Sequence, residues 1–283
     1  MKLETNVEGS FYVTIACIDC DQCRQLAPET FSEVSGYSAV IKQPIHPTEK
    51  AKAFQALLAC PTGAIHSEDK EGLREAMQDF PLLINDGVYY CGFTSHRSYG
   101  ASSYLIVHPD GNWLVDAPRW HPHLVENIEK LGGINYIFLT HQDDVADAAR
   151  YASHFQAERF IHEKELSAQP DAEHIMKGTE PISWHPDFRL IMAPGHTPGH
   201  MLLLYRQQFL FTGDHLAWDR DQEDLTAYRD HCWYSWTEQT RSMQRLAEET
   251  FSWILPGHGD RIHLPPLQMK EAMNRLVRRM QKQ

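Results

Sequence analysis

Three cysteines spaced by two residues constrain this chain more than any other feature. Cys17, Cys20 and Cys23 stand in one short segment, and a fourth, Cys60, follows well downstream and directly precedes Pro61. Three thiolates at this spacing can hold three corners of an iron–sulfur cube, and a distant Cys-Pro can supply the fourth ligand. Structural zinc sites instead use two separated Cys-x-x-Cys pairs. The pattern therefore predicts one [4Fe-4S] cluster, bound by Cys17, Cys20, Cys23 and Cys60.

Composition narrows the class of protein. Hydrophobic residues make up 42% of the 283 residues, which is enough for a globular core. No apolar run reaches the ~18 residues of a membrane span, and the N-terminus lacks the apolar stretch of a secretion signal. We therefore expect a cytoplasmic protein, without membrane contact and with reduced cysteines. The formal net charge of −12 argues against a nucleic-acid partner, which would require a basic surface.

Hydrophobic patterning predicts two domains, residues 1–80 and 81–283. The first contains a β-like segment at 37–41, a helix at 48–59 and a charged linker helix at 67–76. The second alternates short apolar strands with helices, which indicates an α/β fold. Its predicted strands are 113–115, 136–139, 189–192, 201–205, 208–211 and 252–255, and its predicted helices are 146–155 and 236–249.

Several of these strands run directly into a histidine or an aspartate. The residues concerned are Asp116, His141, His196, Asp214 and His258. Because α/β folds place their chemistry at strand ends, these side chains are expected to form one polar site. Imidazoles joined by a carboxylate that can bridge two ions are typical ligands of a transition metal.

The N-terminal cysteine segment resembles a bacterial-type single-cluster ferredoxin over residues 7–67. The resemblance rests on the cysteine triplet and on the sequence Cys60-Pro-Thr-Gly-Ala-Ile65. Two-cluster ferredoxins carry a further cysteine three residues after the third, and here that position is Ala27. The resemblance implies an α+β module with one cluster, which would transfer single electrons at low potential and exchange them with a redox partner protein.

Residues 82–265 resemble the metallo-β-lactamase fold superfamily. The resemblance rests on Gly195-His-Thr-Pro-Gly-His200, on Thr212-Gly-Asp214 and on Leu114-Val-Asp116. It implies an αββα sandwich of two facing sheets that carries a metal site. The third of these segments resembles the superfamily's first motif, whose aspartate, here Asp116, is usually structural rather than a ligand. His200 and His215 are expected to be structural or to contact the metal ligands rather than the metal.

The metal motif departs from the family pattern His-x-His-x-Asp-His. The motif begins at His141, but its second histidine is Asp143, and its aspartate and last histidine are Val145 and Ala146. Asp147 is a candidate substitute if the loop carries a small insertion. The metal ligands that the resemblance implies are His141, Asp143, His196, Asp214 and His258, with Asp147 as a further candidate. We expect an atypical site or a single ion rather than a full dizinc site.

Three functions are compatible with this combination. The first is a redox protein in which the cluster passes electrons to a non-haem metal, since hydrolysis needs no electrons. Asp143 favours iron over zinc by ligand hardness, and flavodiiron proteins, which this region resembles, also place a carboxylate there. The second is a hydrolase that uses a metal-bound hydroxide, with a structural or sensing cluster. The third is a non-catalytic electron-transfer or partner-binding protein. The small-molecule substrate is not predicted.

The aromatic run Trp233 to Trp236 is predicted to pack in the core rather than to cover the site.

Overall fold

The computed structural model describes residues 1–282. These residues form two compact units, Met1–Asn135 with Ala146–Ala157, and Tyr136–Val145 with the chain from Glu158 onward. No helix within the described range has the length and apolar character needed to cross a bilayer. The domain boundary predicted near residue 80 lies inside the first unit and remains a prediction.

The first unit combines short antiparallel strands with five helices. Strands β2 and β3 form a tight hairpin through Ser35 and Gly36, whose positive φ angles of 56° and 79° suit the turn that joins twisted strands. β1 pairs with β4, and β5 to β8 form an antiparallel meander. The strands are β1 (Phe11–Val13), β2 (Phe31–Val34), β3 (Tyr37–Val40), β4 (Ile65–Ser67), β5 (Leu82–Asn85), β6 (Val88–Tyr90), β7 (Tyr104–Ile106) and β8 (Trp113–Val115). The helices are α1 (Gln22–Leu26), α2 (Pro47–Ala59), α3 (Leu73–Gln78), α4 (Pro122–Lys130) and α5 (Ala148–Phe155).

Helix α2 carries the fourth cysteine at its C-terminal end. It begins at Pro47, where the carboxylate of Glu49 accepts hydrogen bonds from the backbone N–H groups of Ile45 (2.9 Å) and His46 (3.2 Å). It ends before Cys60, because the following Pro61 cannot continue a helix. The helix predicted at 48–59 is thus confirmed to within one residue.

The charged segment predicted as a linker helix at 67–76 is only partly helical. Ser67 instead ends strand β4, where it pairs with Phe11. Gly72 has a left-handed φ of 90°, so the helix begins only after it, at Leu73. Charge alone predicted helix here, but the pairing of β4 with β1 uses the first residues of the segment.

The second unit contains three groups of strands, one of them the antiparallel pair β16 and β17, and two long helices. Strands β9, β10 and β11 are parallel neighbours, while β12 to β15, β18 and β19 form a six-stranded sheet in which β15 and β18 are parallel. The strands are β9 (Tyr136–Phe138), β10 (Glu158–His162), β11 (His174–Met176), β12 (Ile182–His185), β13 (Phe188–Met192), β14 (Met201–Tyr205), β15 (Phe209–Gly213), β16 (Ala217–Asp219), β17 (Asp224–Thr226), β18 (Trp253–Pro256) and β19 (Ile262–His263). The helices are α6 (Trp236–Leu246) and α7 (Pro266–Met280).

The core of this unit places the polar residues at strand ends. One face of β13, β14, β15 and β18 packs on α6 and α7 through buried aliphatic side chains that include Leu204, Leu210 and Met273. Because β15 and β18 run in the same direction, the residues that follow them emerge at one edge of the sheet. Asp214 and His258 are those residues. The strands predicted here from apolar runs are confirmed.

Candidate functional site

Four of the five cysteines of the first unit line one cavity. Cys17, Cys20, Cys23 and Cys60 face it together with Gln22, Ser38, Thr62 and the apolar side chains Val13, Ile18, Ala64 and Ile65. All four are free thiols. Ala27 stands where a further cluster ligand would be, but it is buried, and its N–H donates to the carbonyl of Cys23 at 2.9 Å.

Backbone amides point at the sulfur atoms of this cavity. The N–H of Asp19 donates to Cys17 Sγ at 3.4 Å, and that of Ala64 donates to Cys60 Sγ at 3.2 Å. Burial raises the pKa of Cys23 to about 12 and also raises that of Cys20. Thiols whose pKa is raised in this way, as in Cys20 and Cys23, stay protonated by themselves, whereas bound iron ions compensate the thiolate charge. Donor type, number and amide pattern therefore fit a [4Fe-4S] cluster.

In the second unit, His141, His196 and Asp214 converge on one point. Nε2 of His141 and Nε2 of His196 each lie 3.7 Å from Asp214 Oδ2. The carboxylate of Asp143 lies 3.7 Å from the first ring nitrogen and 3.9 Å from the second. Two ligands of one ion with bonds of ~2.1 Å are separated by about 3.4 Å at the tetrahedral angle. These spacings therefore match donors that share an ion.

Burial keeps His141 and His196 neutral, as metal ligands must be. Both rings are buried, and neither Nε2 atom has a hydrogen-bond partner. Burial lowers the pKa of His141 to about 3, against the opposing charge of Asp214, and burial also lowers the pKa of His196. A buried nitrogen lone pair without a hydrogen bond is unfavourable unless a ligand occupies it. The residues present thus fit a transition-metal ion.

A second group of donors shares Asp214. Asp144, Asp214 and His258 each place a ligand atom within 4.8 Å of the others. Nδ1 of His258 lies 2.7 Å from Asp214 Oδ1, and burial, which would raise the pKa of Asp214, is outweighed by His258, His141 and His196, so that this pKa is lowered. A Cβ at Gly257 would lie 2.7 Å from Asp144 Oδ2 and 2.8 Å from Asp214 Oδ1, so the glycine leaves this space to the carboxylates.

The additional carboxylate predicted at Asp147 stays a prediction, and the structure brings a different aspartate, Asp144, to the donors. Asp144, which was not predicted, is 1% exposed and belongs to the second group, whereas Asp147 belongs to neither group among the described residues. The carboxylate of Asp147 accepts a hydrogen bond from the N–H of Trp120 at 2.7 Å and pairs with Arg97. The turn at Gln142–Asp144 brings Asp144 inward without any insertion. Its signal in the sequence was the unusual acidic pair that directly follows Gln142.

His200 and His215 lie behind the ligands. His200 stacks on His141 with ring centroids 5.0 Å apart, and its Nε2 accepts a hydrogen bond of 3.3 Å from the N–H of Asp214. His215 lies next to His200, with centroids 4.6 Å apart, and both rings are fully buried. Their role, structural or in contact with the ligands, stays a prediction. Asp116 is buried in the first unit with a left-handed φ of 53°, and its expected structural role stays a prediction.

The aromatic run after His231 was predicted to lie in the core, and this prediction is wrong for two of its members. Trp233 is 65% exposed and Tyr234 is 51% exposed. Their backbone N–H groups both donate to the carbonyl of the ligand His196 at 3.0 Å, which fixes the segment beside the metal donors. Exposed aromatic side chains at this place are available to contact a substrate.

Glu165 joins the two ligand loops, and sequence analysis missed it. It is fully buried, and its Oε1 accepts from the N–H of Gly199 at 2.6 Å while Oε2 accepts from the N–H of Gln142 at 3.3 Å. These amides belong to the loops that carry His196 and His141. Gly199 is tightly enclosed, because a Cβ there would lie 2.7 Å from Glu165 Cγ.

Replacing Glu165 with glutamine should loosen both loops. In the variant, the amide NH2 group of glutamine would face a backbone N–H that donates to a carboxylate oxygen in the wild-type protein. An unsatisfied buried donor destabilises a protein by about 1–3 kcal/mol. We expect metal affinity to fall about 10- to 100-fold, as for other residues that orient ligands. Isothermal titration of metal-free protein with Fe(II) or Zn(II) measures the loss. Glu163→Gln, an exposed neighbour, is the control, and equal affinities in the two variants would contradict the assigned role.

Two protein-family models match the chain. The 4Fe-4S single cluster domain of Ferredoxin I matches residues 13–67, and the Metallo-beta-lactamase superfamily matches residues 83–267. Among solved structures, the chain is similar to the metallo-beta-lactamase FIM-1 from Pseudomonas aeruginosa in its mono-zinc form, with 17% identity, coverage of 70% of this chain and 93% of that one, and a TM-score of 0.52. It is also similar to the metallo-beta-lactamase DIM-1, with 16% identity, coverage of 68% and 95%, and a TM-score of 0.50.

These matches confirm the predicted fold class. It is a mixed α/β fold in which a ferredoxin-like α+β module precedes a metallo-β-lactamase-like sandwich of sheets. At 16% and 17% identity the solved structures show the fold alone.

Proposed function

This chain belongs to the metallo-beta-lactamase superfamily, and from that premise we propose that it is an oxidoreductase in which a [4Fe-4S] cluster supplies electrons to a non-haem iron centre. The cluster would be held by Cys17, Cys20, Cys23 and Cys60. The centre would be held by His141, Asp143, His196, Asp214, His258 and Asp144, the last in place of Asp147. The substrate is a small electron acceptor, and the electrons come from a redox partner protein.

The composition of the donor set supports iron. The two groups of donors together contain three imidazoles and three carboxylates, and Asp214 belongs to both groups. Carboxylate oxygen is a harder ligand than imidazole nitrogen, and two histidines with one carboxylate are typical of non-haem Fe(II) with open positions. The argument for iron depends on Asp143. Its carboxylate is half-exposed and lies within 4 Å of Nε2 of both His141 and His196.

The protein's own residues have defined tasks in this proposal. His141 and His196 act as neutral nitrogen donors, because burial keeps them unprotonated near pH 7. Asp214 acts as a charged bridge, since its lowered pKa keeps it ionised. Trp233 and Tyr234 are exposed next to His196, where they would contact a substrate. Bound iron would supply one-electron chemistry at this centre.

Replacing Asp143 with histidine tests the metal preference. A third imidazole in the group of His141 and His196 makes the donor set softer, so we expect the ratio of iron to zinc bound in the second unit to fall about tenfold or more. The measurement is quantitative iron, zinc and sulfide analysis after anaerobic purification from medium that contains both metals, with four irons assigned to the cluster. Asp230→His, at an exposed position, is the control. An unchanged ratio would remove the argument from Asp143.

Hydrolysis is the second candidate, and the superfamily fold favours it. Both solved structures named above are metallo-beta-lactamases, one of them described in a mono-zinc form. A hydrolase predicts bound zinc and ester or lactam hydrolysis that persists in Cys20→Ser protein. The redox proposal predicts iron beyond four per chain and substrate turnover that stops without the cluster. A non-catalytic electron-transfer or partner-binding protein predicts no metal beyond the cluster.

A further inference from the structure

The last turn of α2, which leads into the cluster ligand Cys60, is completed by residues that lie outside the ferredoxin-like segment. Terminal helix carbonyls lack partners within their own helix. Here the carbonyl of Ala59 accepts hydrogen bonds from Thr94, from its N–H at 3.2 Å and its Oγ1 at 2.7 Å. The guanidinium of Arg119 donates to the carbonyls of Leu58 at 2.7 Å and Cys60 at 2.8 Å. Residues 94 and 119 both belong to the segment that matches the metallo-beta-lactamase model.

The positive charge of Arg119 has no carboxylate partner within residues 1–282. Its other polar contact is the carbonyl of Thr94 at 3.0 Å, and it lies over the ring of Phe93 at 5.6 Å. Burial lowers the pKa of this half-buried guanidinium, and the charge of Cys60 acts in the opposite direction. Among the four cysteines of the cavity, Cys60 is the one whose backbone this guanidinium contacts, through its carbonyl at 2.8 Å.

The cavity wall beside Cys20 and Gln22 is tightly packed. Gly100 lies directly against the cluster ligand Cys20, because a Cβ there would be 2.8 Å from Cys20 Cβ and 3.0 Å from its Sγ. Behind it, Gln22 donates from Nε2 to Ser102 Oγ at 2.9 Å and accepts from the hydroxyl of Tyr90 at 2.6 Å. Gln22 is 1% exposed. Charges act strongly across such a region, since little water or salt screens them.

We propose that Arg119 is the counter-cation of the [4Fe-4S] cluster and raises its reduction potential. Reduction adds one electron, and so one negative charge, to a cluster that four thiolates already make anionic. A fixed cation next to a ligand stabilises the reduced form more than the oxidised form, and net charge near the cluster is a recognised determinant of its potential. Arg119 is thus a positioning residue of this site, which acts on the cluster through its electric field. The inference does not depend on the function proposed for the metal centre.

The test compares reduction potentials of full-length, anaerobically purified variants. Each is titrated with dithionite, and the reduced cluster is followed by electron paramagnetic resonance. Arg119→Gln should shift the equilibrium toward the oxidised cluster at least tenfold, which is ~59 mV for one electron. Arg119→Lys keeps the charge and should stay within threefold of wild type. Arg97→Gln removes an exposed cation near Gly100 and should also stay close to wild type.

Two results would overturn the proposal. One is a wild-type potential in Arg119→Gln with a full cluster, and the other is an equal fall in the lysine and glutamine variants, which would indicate lost hydrogen bonds rather than lost charge. If Arg119→Gln assembles no cluster, Arg119→Ala is reconstituted with dilute guanidinium or with urea, its neutral analogue of the same shape. The proposal requires the higher potential in guanidinium, and equal potentials in the two additives contradict it.

Discussion

Replacing Cys20 with serine should remove most of the acid-labile sulfide and the brown colour of the anaerobically purified protein. Cys20 lies in the cavity that Cys17, Cys23 and Cys60 also line. A serine hydroxyl binds iron poorly in place of a thiolate, and an incomplete ligand set exposes the cluster to loss. We expect the iron attributable to the cluster to fall from four per chain to less than one. Sulfide assay and the visible absorption spectrum measure the change.

Cys232→Ser is the matched control for this experiment. Cys232 is a half-buried thiol whose sulfur donates to the carbonyl of Gly195 at 3.2 Å, outside the cysteine cavity. Its substitution should leave sulfide and colour unchanged. A full four-iron complement in Cys20→Ser would remove the cluster assignment, because the remaining cysteines would then suffice.

Replacing Asp214 with asparagine should have the largest effect on the second site. Its Oδ2 faces Nε2 of His141 and Nε2 of His196, and its Oδ1 faces His258. Asparagine keeps the volume but removes the negative charge that both groups of donors share. Substitution of residues that merely orient ligands costs about 10- to 100-fold in affinity. We therefore expect more than 100-fold weaker binding at both positions.

Two histidine variants separate the positions. His196→Ala should abolish binding in the group of His141, whereas His258→Ala should affect only the group of Asp144 and leave one ion per chain. Equilibrium dialysis with metal analysis counts the ions, and His123→Ala, at an exposed ring, is the control. Two tightly bound zinc ions in Asp214→Asn protein would show that Asp214 does not bridge the groups.

The candidate metal donors were easiest to predict from the sequence where a buried strand precedes them. His141, Asp214 and His258 follow buried strands, so their positions derive from apolar runs that are visible in the sequence. Asp144 lies in a short turn, where the backbone path decides which of two adjacent aspartates points inward. Glu165 was missed for a related reason, because its partners are backbone amides of distant loops. Side-chain chemistry alone does not indicate such contacts.

The helices and strands could also be predicted only in part. Long apolar or amphipathic segments such as Met201–Tyr205 and Pro47–Ala59 were predicted nearly to the residue, because burial of one face dominates their stability. The region 65–78 was harder, because Ile65–Ser67 forms a strand only through pairing with Phe11–Val13, far away in the chain. Pairing over such a distance leaves no local periodicity to recognise.

The completion of α2 by Thr94 and Arg119 has an evolutionary consequence. A gene fusion usually leaves two parts that a linker merely tethers, and either part can later be lost or exchanged. Here the ferredoxin-like segment depends on donors encoded in its neighbour, since the carbonyls of Leu58, Ala59 and Cys60 take their hydrogen bonds from that neighbour. Deletion or recombination between the two coding segments would strip those carbonyls of their partners. We therefore expect selection on the cluster to extend to positions 94 and 119.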